Sequence, residues 1–236
     1  MEIKLTKKPK GVTIVEGFPG FGLVGTIATE FLIDHLDTEM IGKVWMEELP
    51  AIAAIHQEKI VEPLGVFYNK KYNLVIVHGL GSAQGLEWKV ADAVKQIAKT
   101  LEAKEVISLE GVGSPGGVSK NNVFYYTTNK KISSKFEKSG AKPLKEGIIM
   151  GVTGALLLRS GGLPISCVFG ETHSKLPDSK AAAKVIEVLD AVLGLKVDTK
   201  PLLKQAVKFE AKVKTLLDQG QKMTAQQRRK KLSYVG

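Results

Sequence analysis

The chain has 236 residues, of which 44% are hydrophobic and 25% are charged. This is the composition of an ordinary globular protein, and it excludes disordered, collagen-like and disulfide-rich proteins. The single cysteine, Cys167, excludes an internal disulfide and a multi-cysteine metal site, and it indicates a reducing, cytoplasmic location. Because the sequence has neither an apolar run of about 18 residues nor a secretory signal, we expect no association with membranes.

Positive charge is concentrated at the C-terminal end. The net charge is +10, and residues 200–236 contain ten basic residues but only two acidic ones, whereas residues 1–199 are nearly neutral. Such asymmetry is typical of a segment that binds a partner. We therefore divide the chain into a core domain (1–199), an amphipathic helix (200–220) and a mobile basic tail (221–236).

Apolar runs typical of buried strands alternate with segments of helical periodicity along the core domain. In chain order, the predicted elements are a strand at 12–16, a helix at 23–36, strands at 40–46, 51–55, 64–68 and 74–78, a helix at 86–103, strands at 105–109 and 123–128, a helix at 132–139, a strand at 148–150, a helix at 155–159, a strand at 165–169 and a helix at 179–193. The two strands at 64–68 and 74–78 are expected to form a hairpin. The alternation predicts an α/β fold with a mostly parallel central sheet flanked by helices.

A different pattern begins at Pro201. Apolar residues recur at helical spacing with lysines between them, which predicts an amphipathic helix that ends near Gly220. Its apolar stripe either folds back onto the core domain or contacts another subunit. The stripe comprises Leu203, Ala206, Val207, Val213 and Leu217.

The segment Gly20-Phe-Gly22-Leu-Val-Gly25 matches the G-x-G-x-x-G pattern of dinucleotide-binding proteins. It follows a predicted strand and begins a predicted helix, and Glu47 lies roughly where such proteins place a ribose-binding acid. The alternative is that the three glycines only permit a tight turn and close packing. The bulky Phe18 and Phe21 favour this second interpretation.

A second glycine-rich segment, residues 111–117, also follows a predicted strand. In a parallel sheet it would lie at the same edge as the first, so Gly113 and Gly116 join the first three glycines as a possible ligand loop. Ser114 does not belong to a G-x-S-x-G motif, which argues against a nucleophilic serine. A turn that requires positive φ is the favoured interpretation.

The four histidines do not have the spacing of a metal site, and we expect no metal. His173 lies close to Glu171 after a predicted strand, so this pair is either catalytic or a hydrogen-bonded pair at the edge of the core. Cys167 lies within an apolar run and is expected to be an inert buried thiol.

Four consecutive basic residues, Arg228, Arg229, Lys230 and Lys231, lie near the C-terminus. They would suit an acidic protein surface, or they are simply solvated charges. The absence of interleaved aromatic residues argues against nucleic acid as the partner.

The segment from Glu16 to Gly25 resembles the opening signature of the proteasome assembly chaperone 2 family. The resemblance spans about residues 10–215, and the chain looks like the archaeal members of the family. Its further matches are at 48–50, 73–78, 106–110, 147–157, 169–172 and 177–182. It implies a phosphorylase/hydrolase-like fold, homo-oligomers, no cofactor and no established catalysis. It also implies a chaperone that assembles the α-ring of the proteasome, although some archaeal members engage other partners.

The resemblance also directs attention to the C-terminus, because proteasome activators and some assembly chaperones end in a hydrophobic–tyrosine–any triplet that inserts between α-subunits. This chain ends in Leu232-Ser-Tyr234-Val235-Gly236, so that Ser233 precedes the tyrosine and the motif is displaced by one residue. We predict that these residues and the basic cluster before them bind the partner.

Two functions therefore follow from the sequence. The first is a homo-oligomeric assembly chaperone that binds the α-ring through its C-terminal tails. The second is a nucleotide- or small-molecule-binding enzyme that uses the two glycine-rich loops, with Glu47, Glu171 and His173 as its polar candidates.

Overall fold

The computed structural model describes residues 1–49, 54–56, 59–81, 83–113, 122–172 and 176–204. The strands are β1 (Glu2–Leu5), β2 (Thr13–Gly17), β3 (Glu39–Trp45), β4 (Ala54–His56), β5 (Lys59–Val61), β6 (Leu64–Asn69), β7 (Leu74–Gly79), β8 (Glu105–Gly113), β9 (Val123–Thr127), β10 (Lys142–Pro143) and β11 (Ile165–Thr172). The α-helices are α1 (Val24–His35), α2 (Glu87–Thr100), α3 (Lys130–Lys138), α4 (Gly151–Leu158) and α5 (Ser179–Leu193). A single 3₁₀ turn, Phe21–Leu23, leads into α1.

Nine of these strands form one sheet in the order β1-β3-β6-β7-β2-β8-β11-β9-β10. The four central strands β7, β2, β8 and β11 are parallel. The neighbours β6 and β9 run antiparallel to them, and β3 and β1 continue the antiparallel pattern. The prediction of a mostly parallel sheet was therefore wrong, because half of the strand pairs in this mixed sheet are antiparallel, and outside the centre only β9 and β10 pair parallel. A short turn joins β6 to β7, and the two strands pair antiparallel, so the predicted hairpin is confirmed.

Helices cover both faces of the sheet. The helices α1, α3 and α5 pack on one face around residues such as Ile27, Phe136 and Ile186. The helices α2 and α4 pack on the other face around residues such as Val94, Leu156 and Phe169. The α/β prediction is thus confirmed as a sandwich of three layers, with the apolar core in two parts separated by the sheet.

Most predicted elements are confirmed within a few residues, and one is wrong. The segment 148–150 is not a buried strand: it has no regular structure, and Ile148 and Met150 are 88% and 76% exposed. Only Ile149 between them packs against the core. The pattern of the sequence did not reveal β1, β5 and β10, which have only two to four residues each.

The C-terminal predictions fall mainly outside the described residues. Residues 200–204 are helical. Leu202 is buried in the part of the core that contains residues of α1, α3 and α5, whereas Leu203 is half-exposed. The rest of the predicted stripe, the basic cluster and the terminal residues from Leu232 to Gly236 lie beyond them. None of the described helices has the length and apolar character that crossing a membrane would require.

Candidate functional site

The two glycine-rich segments meet at the carboxyl edge of the central strands, as expected from the sequence. A Cβ atom on Gly111 would lie 1.9 Å from the carbonyl oxygen of Phe21, so the two backbones are in direct contact. The ring of Phe21 lies over Gly113, 3.4 Å from the position of its Cβ. Gly116, Ser114 and His173 lie outside the described residues.

The turn before α1 has a conformation that requires glycine at one position. Gly22 has φ +64°, and a Cβ there would lie 2.8 Å from the Thr172 hydroxyl. The backbone N–H of Asp178 donates to the Gly22 carbonyl at 2.9 Å. The carboxylate of Asp178 in turn accepts from the Thr172 hydroxyl at 2.8 Å and from the backbone N–H of Ala181, at the start of α5. These contacts hold the turn against β11 and α5.

Close backbone packing explains the third glycine of the motif. A Cβ on Gly25 would lie 2.2 Å from the carbonyl oxygen of Leu109, and a Cβ on Gly17 would lie 2.2 Å from the carbonyl oxygen of Gly25. The residues from Gly22 to Thr29 are all buried. The N-terminus of α1 is therefore packed against strands and is closed to a phosphate, although free helix N-termini commonly bind anions.

The carboxylate of Glu110 fills the position at this turn that an anionic ligand would take. It accepts hydrogen bonds from the backbone N–H groups of Gly111, at 3.2 Å, and Phe21, and from the Thr153 hydroxyl at 3.3 Å. A Cβ on Gly20 would lie 1.9 Å from its Oε1 atom. The glycine-rich turn thus binds a carboxylate of its own chain.

A second buried acid, Glu16, lies beside Glu110. Glu16 is completely buried, and neither of its carboxyl oxygens has a hydrogen-bond partner in the described part of the chain. Its neighbour in the sheet, Ser108, is engaged instead by the Thr153 hydroxyl at 2.6 Å. Burial is the main cause that raises the pKa of Glu16 to about 8; the Ser108 hydroxyl opposes this rise and the nearby Glu110 contributes to it.

The pKa of Glu110 also lies near neutrality. Burial raises it to about 7, although the hydrogen bonds from Gly111, Thr153 and Phe21 oppose this shift. Desolvation disfavours the charged form of both acids, and two adjacent carboxyl groups resist being charged together. The pair therefore holds a proton near neutral pH. Glu16 is the member of the pair that is closed to solvent, whereas Glu110 is partly exposed.

The topology of the sheet places the predicted polar candidates far apart. Glu47 is exposed after β3, and the strands β6 and β7 separate β3 from β2, which carries the glycine turn. A ribose-binding acid needs the strand next to the turn, so the dinucleotide prediction fails on geometry. Glu171 lies on β11, and the four strands β6, β7, β2 and β8 separate β11 from β3, after which Glu47 lies. The Glu171 carboxylate accepts hydrogen bonds from the backbone N–H and the side-chain amide of Asn122.

The cavity beside the turn is also small. The pocket lined by Phe18, Leu64, Gly79 and Val90 has a volume of about 10 Å³, which is room for about one water molecule. Sites for cofactors typically have several hundred Å³, roughly 300–1,000. Phe18 is buried and lies against Gly79, so it restricts this space as the sequence suggested.

The remaining predicted groups have structural partners. Burial raises the pKa of the Cys167 thiol, as expected for an inert cysteine. His78 is buried with its Nδ1 atom 2.8 Å from the Thr29 hydroxyl and its Nε2 atom 3.0 Å from the Glu30 carboxylate. In the ranges given above, no three His, Cys, Asp or Glu side chains are grouped so that they could hold a metal ion.

The sequence analysis assigned no role to Glu16 or Glu110. A signal was present, because Glu16 lies near the end of the short strand β2 and Glu110 directly follows the largely apolar run 106–109 within β8. Acidic residues are almost never fully buried unless they are paired. An acid next to an apolar run therefore indicates either the end of a strand or a buried polar cluster. The sequence does not distinguish these alternatives, because the outcome depends on how β2 and β8 pair.

A comparison with protein-family models matches residues 14–217 to the PAC2 family. The chain belongs to the PAC2 family. The resemblance found in the sequence is thus confirmed over nearly the same residues.

Solved structures agree with this assignment. The crystal structure of PbaA from Pyrococcus furiosus, described as an archaeal homologue of proteasome-assembly chaperone, is 32% identical and aligns over 96% of this PAC2 chain and 100% of PbaA, with a TM-score of 0.82. PbaB from the same organism, described as an archaeal proteasome activator, shares the fold at 20% identity, with a TM-score of 0.74 over 91% of this chain and 98% of PbaB. An uncharacterised protein of Methanocaldococcus jannaschii is 26% identical over 94% of this chain and 92% of its own length.

We predict that nicotinamide cofactors do not stabilise the protein, because Glu110 fills the glycine turn. A ligand present at about 100 times its dissociation constant would add about 2.7 kcal/mol to the free energy of unfolding, which a thermal-shift assay detects easily. Gly22→Val should lower the melting temperature without any ligand, because a β-branched residue is strained at positive φ. Gly113→Ala, where φ is ordinary and the space is sufficient, is the matched control. A cofactor-induced shift that Gly22→Val abolishes would contradict this.

The buried acids predict a stability that falls as the pH rises. Between pH 4.5 and about 8 Glu16 is ionised in the unfolded chain but protonated in the folded chain. The folded state then binds more protons, so the free energy of unfolding decreases with pH across this window and the full loss is present above it. For a shift of this size the loss is on the order of 4 kcal/mol.

Glu16→Gln mimics the protonated acid and should flatten this decrease. Urea denaturation at several values between pH 5 and 9 measures it, and the variant should be more stable than the natural chain at the alkaline end. Glu48→Gln, which removes an exposed carboxylate beside Lys89, is the control and should keep the natural slope. A natural chain with no slope in this window would refute the assignment.

Proposed function

We propose that this PAC2 protein is a homo-oligomeric proteasome assembly chaperone without catalytic activity of its own. The observation that carries the proposal is membership of the PAC2 family, together with 32% identity to PbaA over nearly the whole chain. The internal packing of the glycine turn supports it, because Glu110 takes the position that a ligand would need. Because this turn is filled by the chain itself, the proposal places the function at the surface and the termini.

We propose further that the C-terminal residues carry the contact with the proteasome α-ring. The charge distribution supports this, because a nearly neutral body is followed by a segment with ten basic residues and two acidic ones. Positive charge speeds encounter with an acidic surface and makes binding sensitive to salt. The terminal residues Leu232, Tyr234 and Val235 supply the apolar groups for a pocket between subunits.

Several tails on one oligomer would bind far more tightly than one. Linking weak sites raises the effective concentration of each, and the overall affinity can exceed that of a single tail by about 10²–10⁴ when the geometry permits. The homo-oligomer is therefore part of the proposed mechanism. The apolar stripe that begins at Leu203 is proposed to lie at or near a contact between subunits.

The first prediction concerns the assembly. At micromolar concentration, light scattering should give a mass that is a multiple of the 25.5 kDa chain. A mass equal to that of one chain would contradict the homo-oligomer.

The second prediction concerns the tail. Deletion of Leu232 to Gly236 should leave the melting temperature and the oligomer mass unchanged but abolish binding to an immobilised α-ring. Tyr234→Ala should cause most of this loss, because truncating a buried aromatic anchor typically costs about 2 kcal/mol or more. Met223→Ala truncates another apolar side chain of the C-terminal segment, outside the proposed contact, and is the matched control.

A third variant separates charge from anchoring. Replacing Arg228 to Lys231 by alanine should mainly slow association and flatten its dependence on salt. If the deletion binds as well as the full chain, the tail is not the contact. If the full chain itself does not bind, the partner is another complex.

A further inference from the structure

Three lysines follow one another along the exposed side of α3. The helix has nine residues, of which four are lysines and one, Glu137, is an acid. Lys131, Lys135 and Lys138 are spaced i, i+4 and i+7, so they share one side of the helix, away from the buried Phe136. All three are exposed, and none forms an ion pair within the described part of the chain. We name these three residues the lysine row.

The stability of α3 does not explain the lysine row. Like charges three or four positions apart repel each other and destabilise a helix. Lysines in the first turn, here Lys130 and Lys131, also oppose the helix dipole, whose N-terminal end is positive. The acid of the helix is engaged elsewhere, because the Glu137 carboxylate accepts a hydrogen bond from the Tyr125 hydroxyl at 3.0 Å.

The positive charge of the body is concentrated around α3. The longer helices are more evenly balanced: α2 contains three lysines and two acids, and α5 contains two of each. Residues 130–145, which include α3 and the adjoining strand β10, contain six lysines and one acid. The rest of residues 1–199 contains 18 basic and 21 acidic residues. The nearly neutral body is therefore positive at the end of the sheet where β10 is the last strand.

A buried acid lies near the lysine row but does not cover it. Glu105 is only 7% exposed, and its carboxylate accepts a hydrogen bond from the Ser166 hydroxyl at 2.6 Å. Burial raises the pKa of Glu105, and hydrogen bonds and the charge of Lys135 oppose this rise. Glu105 thus offsets part of the charge of Lys135 from inside the fold, while the outer side of the row stays exposed.

The chain has no acidic segment of its own that would suit the lysine row. The residues outside the described ranges include three acids, Glu58, Glu210 and Asp218, each well separated from the others in sequence. Residues 205–236 contain eight basic residues and are repelled by the row, and residues 114–121 contain a lysine and no acid. A cover of opposite charge must therefore come from another molecule.

We propose that the lysine row binds an acidic segment of a partner protein. Lys131 and Lys135 lie about 6 Å apart along the helix axis, because each helical residue advances by about 1.5 Å. Carboxylates recur at about this interval on one side of a strand, at every second residue, or of a helix, at every fourth. One carboxylate can then pair with each lysine. This surface is separate from the C-terminal tail, and its assignment does not depend on the α-ring as the partner.

The composition of α3 favours carboxylates over other anionic partners. Phosphate and nucleic-acid sites prefer arginine, and α3 has none. Single-stranded nucleic acids stack their bases on exposed aromatic rings, whereas Phe136, the aromatic residue of α3, is buried. A helix that lies on a membrane surface needs an exposed apolar side, and α3 packs its apolar side against the core.

Binding of a fluorescently labelled polyglutamate peptide tests the proposal. The background is the full chain with Arg228 to Lys231 replaced by alanine, which removes the basic cluster of the tail. Joint replacement of Lys131, Lys135 and Lys138 by glutamine in this background should weaken binding at low salt by at least about tenfold, measured by fluorescence anisotropy. It should also make the remaining binding less sensitive to salt.

The matched control removes the same charge elsewhere on the surface. Lys99, Lys104 and Lys180 are exposed and have no ion pair among the described residues. Their joint replacement by glutamine should change the affinity by less than about twofold, because only the long-range field changes. Equal weakening in both triple variants, or in neither, would overturn the proposal, as would a background chain that does not bind polyglutamate. Tighter binding to single-stranded DNA than to polyglutamate, lost with the lysine row, would assign the row to nucleic acid instead.

Thermal unfolding separates loss of the surface from loss of the fold. At low salt the triple variant of the lysine row should melt at the same temperature as the background chain or at a higher one, because repulsion within α3 is removed. Weaker binding together with a lower melting temperature would show that these lysines stabilise the fold, and would also overturn the proposal.

Discussion

The carboxylate of Glu110 is the interaction on which the glycine-rich turn depends. It accepts from the backbone N–H groups of Phe21 and Gly111 and so joins the turn before α1 to the end of β8. Because the carboxylate lies where Gly20 leaves space, the glycine there serves the chain's own side chain. A pattern of glycines that elsewhere receives a phosphate is used here for internal packing, with an acid in place of the anion.

This arrangement requires a second, less favourable feature. Glu16 is buried beside Glu110 without a hydrogen-bond partner among the described residues, and burying such a group is costly unless it is neutral. Protonation near neutral pH reduces that cost, and Thr153 of α4 contributes hydrogen bonds to Glu110 and Ser108 in the same cluster. The same helix therefore closes the polar cluster on its inner side and presents an apolar face on its outer side.

The body and the C-terminal tail differ in how their charges are balanced. The described body pairs many of its exposed charges, for example Lys10 with Glu102 and Lys89 with Glu48, whereas the C-terminal sequence has four basic residues in a row and few acids. Exposed ion pairs contribute little to stability, so their main effect is to keep the body electrically neutral. Under the proposed function, the unbalanced charge of the tail would direct encounters with a partner.

The sequence by itself determined the layers of the fold, the hairpin and the family, because hydrophobic periodicity and a contiguous motif are local properties. Tertiary structure decided what is not local. The order of the strands places Glu47 far from the glycine turn, and the sheet is mixed where the sequence predicted a mostly parallel one. The register of β2 against β8 pairs Glu16 with Ser108. The apolar residues around Ile149 predicted burial, yet only one of the three faces the core. Apolar character favours burial, but which of several neighbouring apolar residues is buried depends on how the elements pack.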